Sequence, residues 1–257
     1  MPQDRRAMRT VILHNHLFKN AGTSVDLILR QNFGDAWLTA EFAMPAGGNT
    51  EAVATWIAGN PQAVAFSSHT MIGPLPDIDG TRIVPIVLLR DPVERIASAY
   101  RFERTQVADT QGARLAKAHG FAGYVDARLS TTGDRQCRNF QVHRLATLLA
   151  PERGSELERA CLALQLVSQT GVVGFVPEFD RAMRRLSALI VPHHPTFRWR
   201  PVNANATAGG REHSISPDMR TLLEETNQDD LALLRFARTL SVQAPTGAPR
   251  DQLAGIS

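Results

Sequence analysis

Residues 10–34, TVILHNHLFKNAGTSVDLILRQNFG, decide how the rest of the chain is read. The segment opens as a short β-rich run, TVILHNHL over 10–17. It closes with helical spacing through Val25, Ile28, Leu29 and Phe33, with Gly34 as the stop. Between the two lies HLFKNAGTS, which crowds Lys19, Gly22, Thr23 and Ser24 into a tight loop. The chain has 28 Lys plus Arg, and only Lys19 and Lys117 are lysines. A compact ammonium acts as a point charge beside a phosphate-like group where a guanidinium would fork around it, so Lys19 stands out.

Further along, NTEAVATWIAGN predicts a short helix closed near Gly59, and AVAFSSH (63–69) a buried strand. The Gly/Pro/Asp-rich loop GPLPDIDG leads to the strongest strand pattern, IVPIVLLR (83–90). DPVERIASAYRF then starts a helix sharply, with Asp91 at the cap, Pro92 at the first helical position and Glu94 three residues after the cap. Val93, Ile96, Ala97 and Tyr100 form its apolar face. Residues 109–169 are mostly helical in pattern, broken near Gly120, Gly133 and Pro151–Gly154. GVVGFV is a further strand, PEFDRAMRRLSALI a helix, and 217–240 one long last helix. Strands that are continuously apolar and alternate with helices predict an α/β fold, a parallel sheet with helices on both faces. Residues 1–257 are read as a single domain with an ordered core over 9–240 and a flexible tail over 241–257.

Composition narrows the function classes. At 43% hydrophobic the chain can bury a full core, and no apolar stretch approaches the 18 or so residues of a membrane span. His14, Asn15 and His16 interrupt the first apolar run, so no signal peptide is expected. Cys137 and Cys161 lie far apart without zinc-type spacing and read as reduced thiols. A net charge of +3 spread along helices permits an anionic ligand without implying nucleic acid.

Ligands of parallel sheets bind at the carboxyl ends of the strands, and Lys19–Ser24, His69 and Arg90 all lie at such ends. A loop that feeds a helix N-terminus offers unpaired N–H groups to phosphate or sulfate. Gly22 would let the backbone approach an anion, and Thr23 and Ser24 can donate both N–H and hydroxyl. The plainer alternative is a strand-to-helix turn in which Thr23 or Ser24 only caps the helix. A Walker A loop does not fit, because Lys19 precedes the glycine by three positions. His14 and His16, two apart on one strand face, could begin a metal-binding pair, but no further ligand is spaced to complete it. No metal is therefore expected.

Two motifs in order then resemble a known family. HLFKNAGTS is similar to the HxPKxGGTS 5'-phosphosulfate loop of carbohydrate sulfotransferases that use 3'-phosphoadenosine 5'-phosphosulfate (PAPS), above all the heparan sulfate 2-O-sulfotransferase-like group. IVLLRDPVERIASAY resembles the family's 3'-phosphate segment, in which an arginine ends a strand and a serine follows eight residues later, here Arg90 and Ser98. VGFVPEFDRAMRRLSAL and LLEETNQDDLALLRFA resemble its later helices, so the similarity runs from about residue 10 to 240. Phe18 stands where the family has proline, and Asn20-Ala21 where Thr-Gly is typical.

The resemblance implies a P-loop-like parallel sheet flanked by helices on both faces, with a helical subregion on the acceptor side, in a cytoplasmic, bacterial-type relative of the membrane-anchored Golgi enzymes. Its substrates would be a small-molecule nucleotide, PAPS, and a hydroxyl acceptor, a glycan, with no metal. The implied nucleotide-binding residues are Lys19, Asn20, Ala21, Gly22, Thr23, Ser24, Arg90 and Ser98. Lys19 would stabilise the leaving oxygen. His69, placed where the resembling enzymes carry a catalytic histidine, would be the general base. His16 is a second candidate base or a brace for the loop, and Arg211, in NANATAGGREH, could reach the nucleotide. A P-loop nucleotide kinase or NTPase and a noncatalytic nucleotide-binding module are the competing classes.

Overall fold

The computed structural model describes residues 8–200 and 215–243. The expectations for Arg211 and for the tail from 244 onward lie outside them. Five strands form one sheet, β1 (Arg9–Asn15), β2 (Trp37–Thr39), β3 (Ala65–Ser68), β4 (Thr81–Leu89) and β5 (Val172–Phe175), in the order β2-β3-β1-β4-β5. Every pairing is parallel. The central strand β1 is flanked by β3, with Asn15 level with Ser68, and by β4, with His14 level with Ile86. The loops leaving β1, β3 and β4 therefore emerge side by side.

Alternation along the strands assigns the two faces. Ile12, Val84, Ile86 and Leu88 point toward α1 (Gly22–Phe33) and α8 (Phe179–Ile190), where Val25, Ile28, Leu29, Met183 and Leu186 complete one core. On the opposite face, Val11 and Leu13 meet Val53 and Ile57 of α2 (Thr50–Gly59). Val87 and Leu89 meet α6 (Phe140–Ala146), α7 (Glu156–Thr170) and α10 (Gln228–Gln243) through Val142, Leu145, Leu164, Val167 and Leu233. This is the expected parallel sheet with helices on both faces.

A third core lies beside the strand ends. Val93, Ile96 and Tyr100 of α3 (Pro92–Thr105) pack with Ala116 of α4 (Gln111–Ala118), Tyr124 and Val125 of α5 (Phe121–Ser130) and Leu223 of α9 (Pro217–Thr226). Asp91 caps α3 as expected, its Oδ1 accepting the Glu94 N–H at 3.0 Å with Pro92 at the first position. A reciprocal capping box, which the sequence reading did not single out, joins Ser155 and Glu158 at the start of α7.

Two expectations are corrected. The three-residue β2 was not anticipated, being too short for a periodic signal. The last helix is two helices, α9 and α10, separated at Asn227. Asn227 is fully buried, donates from Nδ2 to the Cys137 and Leu223 carbonyls, and accepts the Asn139 N–H. These bonds to the neighbouring segment hold the chain in a bend that no proline or glycine marks.

Candidate functional site

Beyond β1 the backbone turns tightly. Lys19 and Ala21 both adopt positive φ, 65° and 59°, a conformation uncommon for residues with a side chain. Left-handed residues interleaved with ordinary ones turn successive N–H groups toward one side, as in anion-binding nests. Ala21 is the N-cap of α1 and supplies no side-chain cap. Neither Thr23 nor Ser24 takes that role. The Ser24 N–H returns to the Ala21 carbonyl at 3.0 Å, and those of Ala21, Gly22 and Thr23 have no partner among the described residues. The helix thus starts with open donors at its positive end.

Three cations gather here. The Lys19 ammonium sits 4.3 Å from the centre of the Phe102 ring, and Phe18 meets Phe102 edge-on at 5.6 Å. Burial, then repulsion from Arg90 and Arg101, pushes the Lys19 pKa down. The Arg90 Nη1 donates to the Lys19 carbonyl at 3.3 Å, tying strand tip to loop. Burial also lowers Arg90, with Glu94 opposing and Arg101 adding to the effect. No carboxylate forms an ion pair with Lys19, Arg90 or Arg101 among the described residues. Ser98, half-buried on α3 about 10 Å along the helix from Asp91, likewise keeps a free hydroxyl.

A buried polar frame holds these groups. Gln141 accepts the Asn20 amide at 2.8 Å and the Arg90 N–H at 2.9 Å through Oε1, and its Nε2 donates to the Arg90 carbonyl at 2.8 Å. Asp230 receives the N–H groups of Gln141 and Val142 at 3.2 and 2.8 Å. Burial raises the Asp230 pKa against the pull of these bonds and of Arg95. Asn20 is a strut: its Nδ2 also reaches the Leu88 carbonyl at 2.7 Å, so its amide nitrogen faces the protein interior and not a ligand.

On the other side of the loop stands a stack of imidazoles. His14 and His16 lie 5.1 Å apart, and His16 and His69 3.8 Å apart. Asp26 of α1 bridges the first two, with Oδ1 2.8 Å from His14 Nδ1 and Oδ2 2.9 Å from His16 Nδ1. Burial pushes the Asp26 carboxyl up, but the two imidazole bonds outweigh it and hold the group far below the usual carboxylate range. An ionised Asp26 accepts from both rings, which puts a hydrogen on each Nδ1. His14, His16 and Asp26 also form a possible metal-ligand group. The near-parallel rings each place Nδ1 at hydrogen-bonding distance from its own Asp26 oxygen.

His69 is half-exposed, and its Nδ1 meets Glu41 Oε1 at 2.8 Å. Burial alone would raise Glu41, yet the bonds from His69 and Thr70 bring it below its ordinary value. A carboxylate on Nδ1 leaves Nε2 as the accepting atom, the arrangement of a general base with its orienting group. Arg144 of α6 braces this segment, donating to the His69 carbonyl at 2.7 Å and the Met71 carbonyl at 3.0 Å. Glu41, Asp26, Gln141 and Arg101 escaped the sequence reading, since they come from unrelated loops and helices. Gly22 is explained differently than expected. Its missing side chain makes room for His16, whose Cδ2 would lie 2.0 Å from a Cβ placed there.

Fold and site together define a P-loop-like α/β protein whose central strand ends carry a cationic loop beside a carboxylate-held imidazole. No protein-family model matches the chain. Over 242 residues it is 34% identical to a protein of Archaeoglobus fulgidus described as uncharacterized, spanning 88% of this chain and 94% of the relative. The chain belongs to the family of that archaeal protein. Among the described residues, no helix is long and apolar enough to cross a membrane.

Proposed function

We propose that the protein transfers a sulfonate group from PAPS to a hydroxyl of a carbohydrate acceptor by in-line displacement, in the cytoplasm. One observation carries this reading: Lys19, Arg90 and Arg101 sit together without a carboxylate partner, next to three unpaired N–H groups at the start of α1. Like charges held close in a half-buried site repel, and a polyanionic ligand offsets that repulsion. The carbohydrate class of acceptor comes from the family resemblance alone.

PAPS supplies the sulfonate and a phosphate leaving group. Lys19 and the N–H groups of Ala21, Gly22 and Thr23 meet the charge that grows on the leaving oxygen as the S–O bond breaks. Arg90, with the Ser98 hydroxyl further along α3, takes the 3'-phosphate. His69 receives the acceptor's proton at Nε2 as the new O–S bond forms, and Glu41 offsets the imidazolium so produced.

Thermal-shift screening tests the ligand class, because a ligand that binds the native state raises the melting temperature. Adenosine 3',5'-bisphosphate should stabilise the protein more than ATP, GTP or ADP. A preference for magnesium-ATP would favour a kinase instead. Sulfonate transfer from PAPS to a panel of glycans then tests the reaction itself.

A further inference from the structure

Phe102 has no part in the chemistry proposed above, yet it is a large apolar side chain that the fold leaves 41% exposed. It stands on α3 one turn beyond Ser98, so the two share a helix face. The Lys19 ammonium lies 4.3 Å from the centre of its ring and 6.0 Å from that of Phe18. The two rings meet edge-on at 5.6 Å. Among the described residues, no hydrogen bond or ion pair reaches the ammonium, and the rings are what it touches.

The kind of group that holds a lysine at an anion site has consequences. A carboxylate would neutralise the ammonium, and its own charge would repel an incoming phosphate or sulfonate. An aromatic face attracts a cation through its quadrupole and carries no net charge, so the ammonium keeps its full charge for the ligand. The same attraction works against Arg90 and Arg101, whose repulsion pushes a flexible, strongly hydrated side chain out toward water.

We propose that Phe102, braced by Phe18, is a positioning residue. Its ring holds the Lys19 ammonium against α3, next to Arg90 and Arg101, before the ligand arrives, so that little reordering of the lysine is left for the transfer step. The inference rests on Lys19 acting on the leaving oxygen, as proposed above.

The chain has two lysines, Lys19 and the exposed Lys117 on α4, so protein labelled with lysine carrying carbon-13 at Cε gives two side-chain methylene signals. A methylene beside an aromatic face is shifted upfield by the ring current. The Lys19 signal should stand upfield of the Lys117 signal and fall back toward it in Phe102→Leu, with Lys117→Arg assigning the pair. Phe102→Leu should also slow sulfonate transfer by about 3- to 30-fold, the span of one cation–π contact, with the loss falling on kcat more than on KM for PAPS. Phe102→Tyr and Phe102→Trp keep an aromatic face and should recover most of that loss, which a merely space-filling role does not require. An unmoved Lys19 signal or normal turnover in Phe102→Leu overturns the inference, as do tyrosine and tryptophan variants as slow as the leucine one; each leaves the role of Lys19 standing. Absence of sulfonate transfer in wild type overturns the functional reading and this inference with it.

Discussion

Gln141 pairs with both backbone groups of Arg90, accepting its N–H at 2.9 Å and donating to its carbonyl at 2.8 Å, as a neighbouring strand would. The same side chain takes the Asn20 amide, so one buried residue of α6 fixes the tip of β4 and the Lys19 loop relative to each other. Gln141→Leu leaves Arg90 N–H, Arg90 C=O and Asn20 Nδ2 short of partners in the interior. The expected loss is about 2–3 kcal/mol of stability, which for a chain of this size lowers the melting temperature by roughly 5–10 °C. Calorimetry checks it, and an unchanged melting temperature would show that water replaces the amide.

Lys19 should not tolerate the guanidinium that serves elsewhere in this arginine-rich chain. Its ammonium lies over the Phe102 ring on a left-handed backbone, repelled by Arg90, and a planar fork needs more room. Lys19→Ala is expected to slow sulfonate transfer by about 10²- to 10³-fold, with little recovery in Lys19→Arg. Normal transfer rates in Lys19→Ala would remove the lysine from the mechanism.

The His69–Glu41 pair predicts a separation of binding from turnover. Both side chains are near half-exposed and neither contacts Lys19 or Arg90. His69→Ala and Glu41→Gln should therefore leave bisphosphate affinity near wild type. Turnover should fall by about 10²-fold or more for His69→Ala, and by less for Glu41→Gln. Loss of nucleotide affinity with unchanged turnover would point to a binding role instead.

What could be read from the sequence follows from how local each signal is. β1, β3 and β4 were legible because each holds a short β-rich apolar run bounded by turn residues, Arg90 because it follows the last strand residue of β4, and Lys19 because it stands in the tight loop after β1. Glu41 was hidden because a lone glutamate in an irregular loop has no pattern; only the fold brings it to His69. Gln141 looks like any polar helix residue until its burial is known. The placement of Asp26 on α1 opposite His14 and His16 was in principle readable, since residues 23–33 were expected to be helical. A carboxylate in a helix's second turn is ordinary, however, and carries no signal of its own. Asn20 was misassigned because the similar loops of other proteins suggested a ligand contact, whereas its neighbours in space are Leu88 and Gln141.

The Asp26 clamp makes stability fall in acid over two windows. His16 has a folded-state pKa below its ordinary value, chiefly from burial, so as pH drops through about 6.5 the unfolded chain binds a proton that the native ring refuses. Stability then declines until His16 itself is protonated. Asp26 is also depressed, but as an acid: its contribution is present above about pH 4 and is lost as pH falls further and the unfolded carboxyl protonates first. Urea unfolding at pH 7.5, 5.5 and 4 should show the first decline, and His16→Gln should flatten it between pH 7.5 and 5.5. A profile in His16→Gln parallel to wild type would place the acid sensitivity elsewhere.

Gly22 offers a test of the imidazole stack that leaves every charged group in place. An added Cβ falls 2.0 Å from His16 Cδ2 and 2.1 Å from Nε2, far inside contact distance, and His16 has little space to retreat, with His14 on one side and His69 on the other. Gly22→Ala is not strained by backbone conformation, since Gly22 has no positive φ. Its effect is thus steric, and overpacking of this kind costs about 1–3 kcal/mol. The displaced ring can no longer keep both its Asp26 bond and its stacking on His69. The expected result is a lower melting temperature together with altered ring signals for His14, His16 and His69 in proton–nitrogen NMR spectra, even though none of the three is substituted. If Gly22→Ala melts like wild type with all three signals unmoved, then His16 does not lie against the start of α1.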